Sequence, residues 1–366
     1  MSAMNRYIRK TGNTLIQFSY LFGKSRPQLQ RATNSKDIPD NGTPAEAYIA
    51  PVYKDRSGIV TIISDDGHFS TGKMIDFLSN KYDMPFTIGG AVINVAWHEA
   101  WWEKTITHNS RMELVNHSYN HIRMENGSDI AASTKRLTHE LIHSKRYFEK
   151  RFGAEQICFV CPENRMCSKG YELLRQSGIL AVRQGTRGYN DLSPDQGEEP
   201  GEWYNLKTMG IMDQTGPDAR ETRKKWLEDA VKEKKWLIEM WHNISDEEDG
   251  GYQTILREDA EKHLAEIKEL SDNGQLWAAK FTEAVKYIVE RQHCSVIAVN
   301  CNDELHLSLA VRSDGIDTSV FDHPLTVMIR DYGKKIEGLD GPVFKDGSAW
   351  YMAELLPGES KALFIS

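Results

Sequence analysis

The sequence lacks long apolar runs and has no excess of basic residues. A membrane-spanning helix needs roughly 20 consecutive apolar residues, and no such run occurs in the 366 residues, so we expect no membrane span. The formal net charge is −8. Nucleic-acid binding depends on a basic surface that neutralises phosphates, so this charge argues against a nucleic-acid partner.

Cysteine is also scarce, and its spacing fits no small disulfide framework. Five cysteines occur, at positions 158, 161, 167, 294 and 301. Cys158 and Cys161 have the spacing of a redox pair or of half a zinc site, but no second pair follows and the surrounding run is apolar. We interpret these cysteines as buried free thiols.

The N-terminal region has little regular pattern. Basic residues precede the first acidic one, Asp37, and the apolar stretch 15–22 is interrupted by polar residues. No small-residue cleavage site follows cleanly. We expect residues 1–57 to form a leader and linker, with a degenerate export signal as the alternative. The default location is then cytoplasmic, with extracellular or surface action as the alternative.

From position 58 the pattern alternates between apolar strands and helices. Strands are predicted at residues 59–63, 85–88, 112–115, 157–160, 179–182, 206–211, 236–241 and 276–279. Helices are predicted at residues 71–81, 131–152, 169–176, 220–234, 257–270 and 281–291. Such alternation predicts a parallel sheet covered on both faces. The number of units in residues 58–292 favours a closed (β/α) barrel, with function at the carboxyl ends of its strands.

Residues 293–366 have a different pattern. Short strands are predicted at residues 295–299, 305–311, 325–329 and 349–355, separated by turns that contain glycine. This pattern predicts a small antiparallel all-β domain. Its role is open between carbohydrate binding and a packing or assembly function.

Two short motifs each follow a predicted strand. Asp65 and Asp66 come after the first strand, while His117 and His121 follow the third and are four residues apart. On a helical turn, side chains four residues apart share a face, so both imidazoles can reach one metal ion. One added carboxylate gives three protein ligands and leaves a position for water, as in catalytic zinc sites. The other carboxylate is then a candidate general base.

These motifs resemble those of the NodB-type polysaccharide deacetylases, carbohydrate esterase family 4. The family motif Thr-Phe-Asp-Asp-Gly is matched at Asp65-Asp66-Gly67, and His-Ser/Thr-x-x-His is matched in full by residues 117–121. The resemblance covers about two thirds of the chain and implies a distorted (β/α) barrel. It also implies that Asp65 is the base and that Asp66, His117 and His121 bind one divalent ion, expected to be zinc.

The resemblance extends to a candidate general acid. His242 follows the strand predicted at residues 236–241 and occupies the place of the family's late Leu-x-His motif, with Met240 in place of the leucine. In the family an aspartate orients this histidine. Asp213 is the first candidate for that role and Asp218 the second. The alternative for His242 is a structural histidine that ends a strand.

The family's third motif, Arg-Pro-Pro-Tyr-Gly, is altered. Residues 160–165 read Val-Cys-Pro-Glu-Asn-Arg, so the arginine that orients the base is missing from its usual position. We expect Arg165 to reach the base from a different backbone position, or Glu163 and Asn164 to line the substrate groove with it.

Aromatic residues add a candidate sugar-binding wall. Trp97 and Trp101 lie in a dense cluster with Trp102. Aromatic faces stack on sugar rings, so Trp97 and Trp101 are candidate substrate contacts. A core-facing amphipathic segment is the alternative.

The resulting hypothesis is a metal-dependent hydrolase that removes N- or O-acetyl groups from an acetylated polysaccharide or oligosaccharide. Water activated at the metal attacks, with Asp65 as general base and His242 as general acid. One alternative is a non-catalytic glycan-binding or structural protein on a degenerate barrel. Another is a metal phosphoesterase, which favours additional carboxylates and a basic phosphate clamp. The oligomeric state is open.

Overall fold

The computed structural model describes residues 42–194, 201–213, 218–247, 251–312, 317–331 and 333–366. Residues 1–41 of the predicted leader and linker, residues 1–57, lie outside these described residues. Among the described residues, every helix is too short or too polar to cross a bilayer. The five cysteines are free thiols, and four of them are buried. Burial raises the pKa of Cys161 to about 12, consistent with an unreactive core thiol.

The strands up to residue 278 are β1 (Thr43–Pro44), β2 (Ala47–Ile49), β3 (Gly58–Ser64), β4 (Phe86–Gly90), β5 (Met112–Asn116), β6 (Cys158–Val160), β7 (Ala181–Arg187), β8 (Asn190–Asp191), β9 (Leu206–Gly210), β10 (Lys235–Trp241), β11 (Ile244–Ser245), β12 (Ile255–Leu256) and β13 (Leu276–Ala278). The helices are α1 (Phe69–Tyr82), α2 (Val92–Val95), α3 (Glu99–His108), α4 (Thr134–Thr138), α5 (Ser144–Phe152), α6 (Ser168–Gln176), α7 (Ala219–Lys232), α8 (Arg257–Asp272) and α9 (Phe281–His293). A π-helical turn, His139–His143, joins α4 to α5.

Seven parallel strands form a closed barrel, which confirms the predicted fold class. They run in the order β3, β4, β5, β6, β7, β9 and β10, and β10 pairs back to β3. In that closing pair Trp236 lies opposite Ile59 and Trp241 lies opposite Ser64. An eighth parallel strand, β13, pairs with the first half of β3, while β4 pairs with its second half.

The strand β3 shows why this sequence forms a barrel wall. All seven of its residues are buried, and four of them are the β-branched apolar residues Ile59, Val60, Ile62 and Ile63. Branched side chains pack well on a pleated surface, and parallel strands are covered on both faces. Such a strand cannot lie at an exposed edge, so the barrel places it between β10 on one side and β4 and β13 on the other.

The C-terminal strands form a β module, made of β14 (Cys294–Cys301), β15 (Glu304–Val311), β16 (Leu325–Arg330), β17 (Val343–Lys345), β18 (Ser348–Leu355) and β19 (Ser360–Phe364). They form two four-stranded sheets with the orders β1-β14-β15-β19 and β17-β18-β16-β2. Residues 43–49, predicted to lie in the linker, therefore supply one antiparallel strand to each sheet.

Barrel and module share one apolar cluster. Helix α9 buries Phe281, Tyr287 and Ile288 in the same cluster that contains Leu307 and Leu325 of the module. Two side chains of the same helix also form hydrogen bonds with residues outside it. Tyr287 Oη donates a hydrogen bond to Ala50 O at 2.9 Å, and the Glu290 carboxylate accepts the backbone N–H groups of Asp322 and His323.

We predict that residues 58–292 expressed alone will be poorly soluble or much less stable than residues 42–366. The shorter fragment exposes the buried face of α9, where each large apolar side chain contributes about 1.5–3 kcal/mol when buried. Soluble yield and thermal unfolding compare the two fragments. Equal solubility and melting temperature would show that the barrel folds independently of the module.

Candidate active site

The two carboxylates follow β3 at the point where the barrel closes. Asp65 N donates to Trp241 O at 2.9 Å, and Ser64 Oγ donates to His242 O at 3.1 Å. The residues after β3 and β10 are therefore held side by side. Asp66 has a φ of 75°, which is uncommon for a residue other than glycine. Its carbonyl oxygen accepts from Ala91 N and Asn94 Nδ2, which hold this turn.

Asp66, His117 and His121 form the metal-type cluster expected from the sequence. Asp66 Oδ1 lies 3.1 Å from His121 Nε2 and 3.7 Å from His117 Nε2. One potential ligand atom from each residue lies within 4.8 Å of the others. The helical turn assumed for the histidines is wrong, because Ser118 and His121 have φ values of 69° and 53°. A loop, rather than a helix face, brings the two imidazoles together.

The hydrogen bonds of His117 suit a metal ligand. Its Nδ1 donates to Val160 O at 2.8 Å, which fixes the tautomer and leaves a lone pair on Nε2. That Nε2 is buried and has no hydrogen-bond partner among the described residues. A buried imidazole nitrogen without a partner is costly, and a divalent cation held with His121 and Asp66 removes that cost. The residues present therefore fit a divalent ion.

The electrostatics of Asp66 point the same way. Burial raises the pKa of Asp66, but its interactions with the nearby imidazoles of His117, His121 and His68 outweigh that effect and hold this pKa well below its usual range. His68 Nε2 lies 3.5 Å from Asp66 Oδ2, and its side chain is about half exposed. Asp66 is therefore an ionised oxygen donor.

Asp65 forms a buried ion pair with Arg183. Arg183 is fully buried in β7, and its Nη2 donates to Asp65 Oδ2. Its Nη1 donates to Asn164 Oδ1 at 2.8 Å. The second carboxylate oxygen, Asp65 Oδ1, is buried and has no hydrogen-bond partner in the described part of the chain. One oxygen is thus fixed by the guanidinium and the other keeps its lone pairs.

Arg165 does not reach the base as the sequence suggested. Its side chain is 70% exposed and pairs with Glu125 at 3.2 Å. Arg183 lies beside Asp65 instead. It belongs to β7, the strand that pairs with β6 next to the third-motif loop. The sequence signal for it was a single arginine directly after the apolar run 179–182.

The loop of the altered third motif packs against β7. Glu163 and Asn164 have φ values of 53° and 59°, and these turn Asn164 toward Arg183. A Cβ at Gly185 would lie 2.3 Å from Asn164 Cβ, so only glycine leaves room for Asn164 here. The contact with Asp66 raises the pKa of His121, and the charge of the exposed Glu163 adds to this effect.

His242 follows β10, as predicted. Burial lowers its pKa, and the charges of Asp65 and Asp66 oppose that effect. Its Nδ1 is buried without a hydrogen-bond partner among the described residues, and its ring lies edge-on to Tyr252 at 5.0 Å. Asp213 ends a short 3₁₀ helix, but its side chain lies outside the described part of the structure. Asp218 is exposed at the start of α7.

The tryptophan cluster divides into exposed and packed members. Trp97 is 82% exposed, whereas Trp102 is fully buried. Trp101 packs against Phe69 and Trp102, with ring centroids 5.2 and 4.9 Å apart. Helix α2, which precedes Trp97 in the chain, contacts the histidine loop, because Val92 N donates a hydrogen bond to Ser118 O. Trp97 thus suits a surface contact, and Trp101 has a packing role.

Comparison with known proteins supports the fold. No family model matches the sequence, and no curated protein matches it. Among solved structures, one assigned as a polysaccharide deacetylase from Mycobacterium smegmatis has a TM-score of 0.50 and 13% identity, over 69% of this chain and 96% of that one. The chain has the NodB-type polysaccharide deacetylase fold.

Two other matching structures have lower TM-scores. The CE4 domain of a multidomain xylanase from the hindgut metagenome of Trinervitermes trinervoides has 16% identity and a TM-score of 0.40, over 62% of this chain and 89% of that one. A CE4 family pseudoenzyme from Bacillus anthracis has 14% identity and a TM-score of 0.41, over 65% and 70%. At these identities the polysaccharide deacetylase likeness concerns the fold alone.

We predict that Arg183→Met lowers the free energy of unfolding by about 3 kcal/mol, because it leaves Asp65 as a buried, unpaired carboxylate. Arg165→Met, on the surface, should change it by less than about 0.5 kcal/mol. Urea unfolding measures both. Adding Asp65→Asn to Arg183→Met should recover part of the loss, and no recovery would argue against the buried pair.

Proposed function

We propose that this protein is a metal-dependent carbohydrate deacetylase that hydrolyses N- or O-acetyl groups of a polysaccharide. The observation that carries the proposal is the unpartnered, buried Nε2 of His117. It faces His121 and Asp66, beside a second carboxylate that keeps one free oxygen. An orphaned imidazole nitrogen and a free carboxylate oxygen in one place suit hydrolysis better than structural packing.

Asp66, His117 and His121 are the residues that hold the divalent ion in this proposal. One carboxylate oxygen and two imidazole nitrogens form a ligand set typical of catalytic zinc. When bound, the ion supplies a Lewis acid that lowers the pKa of water and polarises the acetyl carbonyl. The Val160 carbonyl keeps the His117 ring oriented for this purpose.

Asp65 and His242 divide the proton transfers. Arg183 holds Asp65 Oδ2, so Asp65 Oδ1 is the oxygen that accepts a proton from the attacking water. The oxygen of that water bonds to the acetyl carbon. His242 then donates a proton to the departing sugar nitrogen or oxygen as the bond to the acetyl group breaks. The products are acetate and a sugar with a free amine or hydroxyl.

Two exposed aromatic side chains are candidate substrate contacts. Trp97 is 82% exposed and Tyr252, which touches the His242 ring, is 68% exposed. We assign sugar stacking to Trp97 rather than to the packed Trp101. The altered third-motif loop, with Glu163 on its exposed side, gives a groove unlike that expected for chitin oligomers. We therefore expect weak activity on those oligomers and better activity on another acetylated polysaccharide.

Acetate release from a panel of acetylated glycans tests the proposed reaction. His117→Ala should lose bound metal and activity together, because it removes one of three protein ligands. Asp65→Asn should keep the metal and lose about 10²–10⁴-fold in kcat, the usual contribution of a general base. Metal content by elemental analysis separates the two roles. Full activity of His117→Ala after exhaustive chelation would falsify the metal-dependent mechanism.

We predict that Trp97→Ala raises KM for the preferred polysaccharide about tenfold, equivalent to a loss of about 1.4 kcal/mol of binding. Hydrolysis of a small aryl acetate, which does not extend to Trp97, should be unchanged. Trp101→Ala is the matched comparison and should lower the melting temperature, because it removes packing against Phe69 and Trp102. An unchanged KM in Trp97→Ala would exclude the stacking role.

A further inference from the structure

The loop that carries the two histidine ligands is strained. Ser118 and His121 both have left-handed backbone conformations, which cost about 1–3 kcal/mol each and persist only where the surroundings hold them. Two hydrogen bonds within the loop help to hold these conformations. Ser118 N donates to Asn116 Oδ1 at 3.1 Å, and His121 N donates to Ser118 Oγ at 3.0 Å.

The two histidines are held in different ways. The ring of His117 is buried and fixed by its own hydrogen bond to Val160 O. The side chain of His121 is 29% exposed. Within the described residues, the structure gives no hydrogen bond to its Nδ1. Apart from the contact of its Nε2 with Asp66 Oδ1 at 3.1 Å, the placement of the His121 ring therefore depends on the backbone of the loop, residues 118–121.

Glu140 holds that backbone. Its Oε2 accepts the backbone N–H of Asn120 at 2.8 Å and that of Tyr119 at 3.2 Å. Its Oε1 accepts Asn120 Nδ2 at 2.6 Å. Glu140 is only 2% exposed. A buried carboxylate needs such donors, so all three contacts fix the loop and the carboxylate together.

A π-helical turn places Glu140 at the loop. The turn His139–His143 interrupts the helix formed by α4 and α5. A second contact comes from the same turn, because Asn116 Nδ2 donates to Leu141 O at 3.3 Å. The end of β5 and the loop after it are thus both bound to this turn. Single π turns inside helices are frequent at functional sites.

We propose that Glu140 is a positioning residue for the metal centre: its carboxylate holds the loop in the conformation that aims His121 at Asp66. Glu140 lies outside the family motifs named above, and its carboxylate accepts hydrogen bonds from Tyr119 and Asn120 rather than from Asp66, His117 or His121. The proposal rests on the metal binding assigned above, but not on the identity of the substrate.

Metal affinity of the metal-free protein, measured by competition for zinc with a chromophoric chelator, tests the proposal. Glu140→Ala should weaken zinc binding about 10–100-fold, the usual effect of losing a group that orients a ligand. Glu140→Gln should retain most of the affinity. Its amide oxygen still accepts the two backbone N–H groups, and Asn120 can turn its own oxygen toward the new amide. Glu172→Ala, an exposed glutamate on α6, is the matched control and should bind zinc as the unaltered protein does.

Hydrogen exchange of the metal-free protein gives a second readout that involves neither zinc nor substrate. In Glu140→Ala the amides of Tyr119 and Asn120 should exchange about tenfold faster or more, because they lose their acceptor. Equal zinc affinity in folded Glu140→Ala and in the unaltered protein would overturn the proposal. So would equal loss in the Ala and Gln variants. Zinc binding without acetate release from any glycan would contradict the proposed reaction and leave the Glu140 result valid.

Discussion

Pairing between β3 and β10 is the constraint on which the site depends. Six consecutive residue pairs join these strands, ending with Trp241 opposite Ser64. Because the strands are parallel and in register at that end, the residues that follow them emerge together. Asp65 and His242 are therefore neighbours although they are far apart in sequence. The barrel closure and the proposed acid–base pair have the same physical origin.

Hydrogen bonds with surrounding residues fix the side chains of the candidate site. Arg183 fixes one oxygen of Asp65, the Val160 carbonyl fixes the ring of His117, and Glu140 fixes the loop before His121. Each of these groups comes from a different strand end or helix. Preorganisation of this kind leaves two atoms of the candidate site, Asp65 Oδ1 and His117 Nε2, without a hydrogen-bond partner among the described residues.

The barrel and the proposed metal-binding residues were predictable because each leaves a local signal. Buried parallel strands are short apolar runs, and Asp65-Asp66-Gly67 and His117-x-x-x-His121 are compact motifs at strand ends. Arg183 and Glu140 leave no such signal, since their partners are distant in sequence and are set by strand order and by a π turn. Helix α3 was missed for a related reason, because its residues Trp101 and Trp102 were considered as part of a binding surface. The strands β1 and β2 lie in a polar, Pro- and Gly-containing stretch that is typical of a linker.

These two short strands have a consequence for how the protein is made. Thr43 pairs with Asn300 and Tyr48 pairs with Met328, contacts that join residues more than 250 positions apart. On a ribosome, residues 43–49 emerge long before either partner strand exists. The barrel strands that follow can pair with their neighbours during synthesis, whereas each sheet of the module waits for the last part of the chain. Such distant contacts form slowly because a long loop must close first. Until residues 294–364 have been synthesised, the nascent chain carries two unpaired strands within residues 43–49 and an uncovered apolar face on α9. Exposed strand edges and apolar surface of this kind are what chaperones bind.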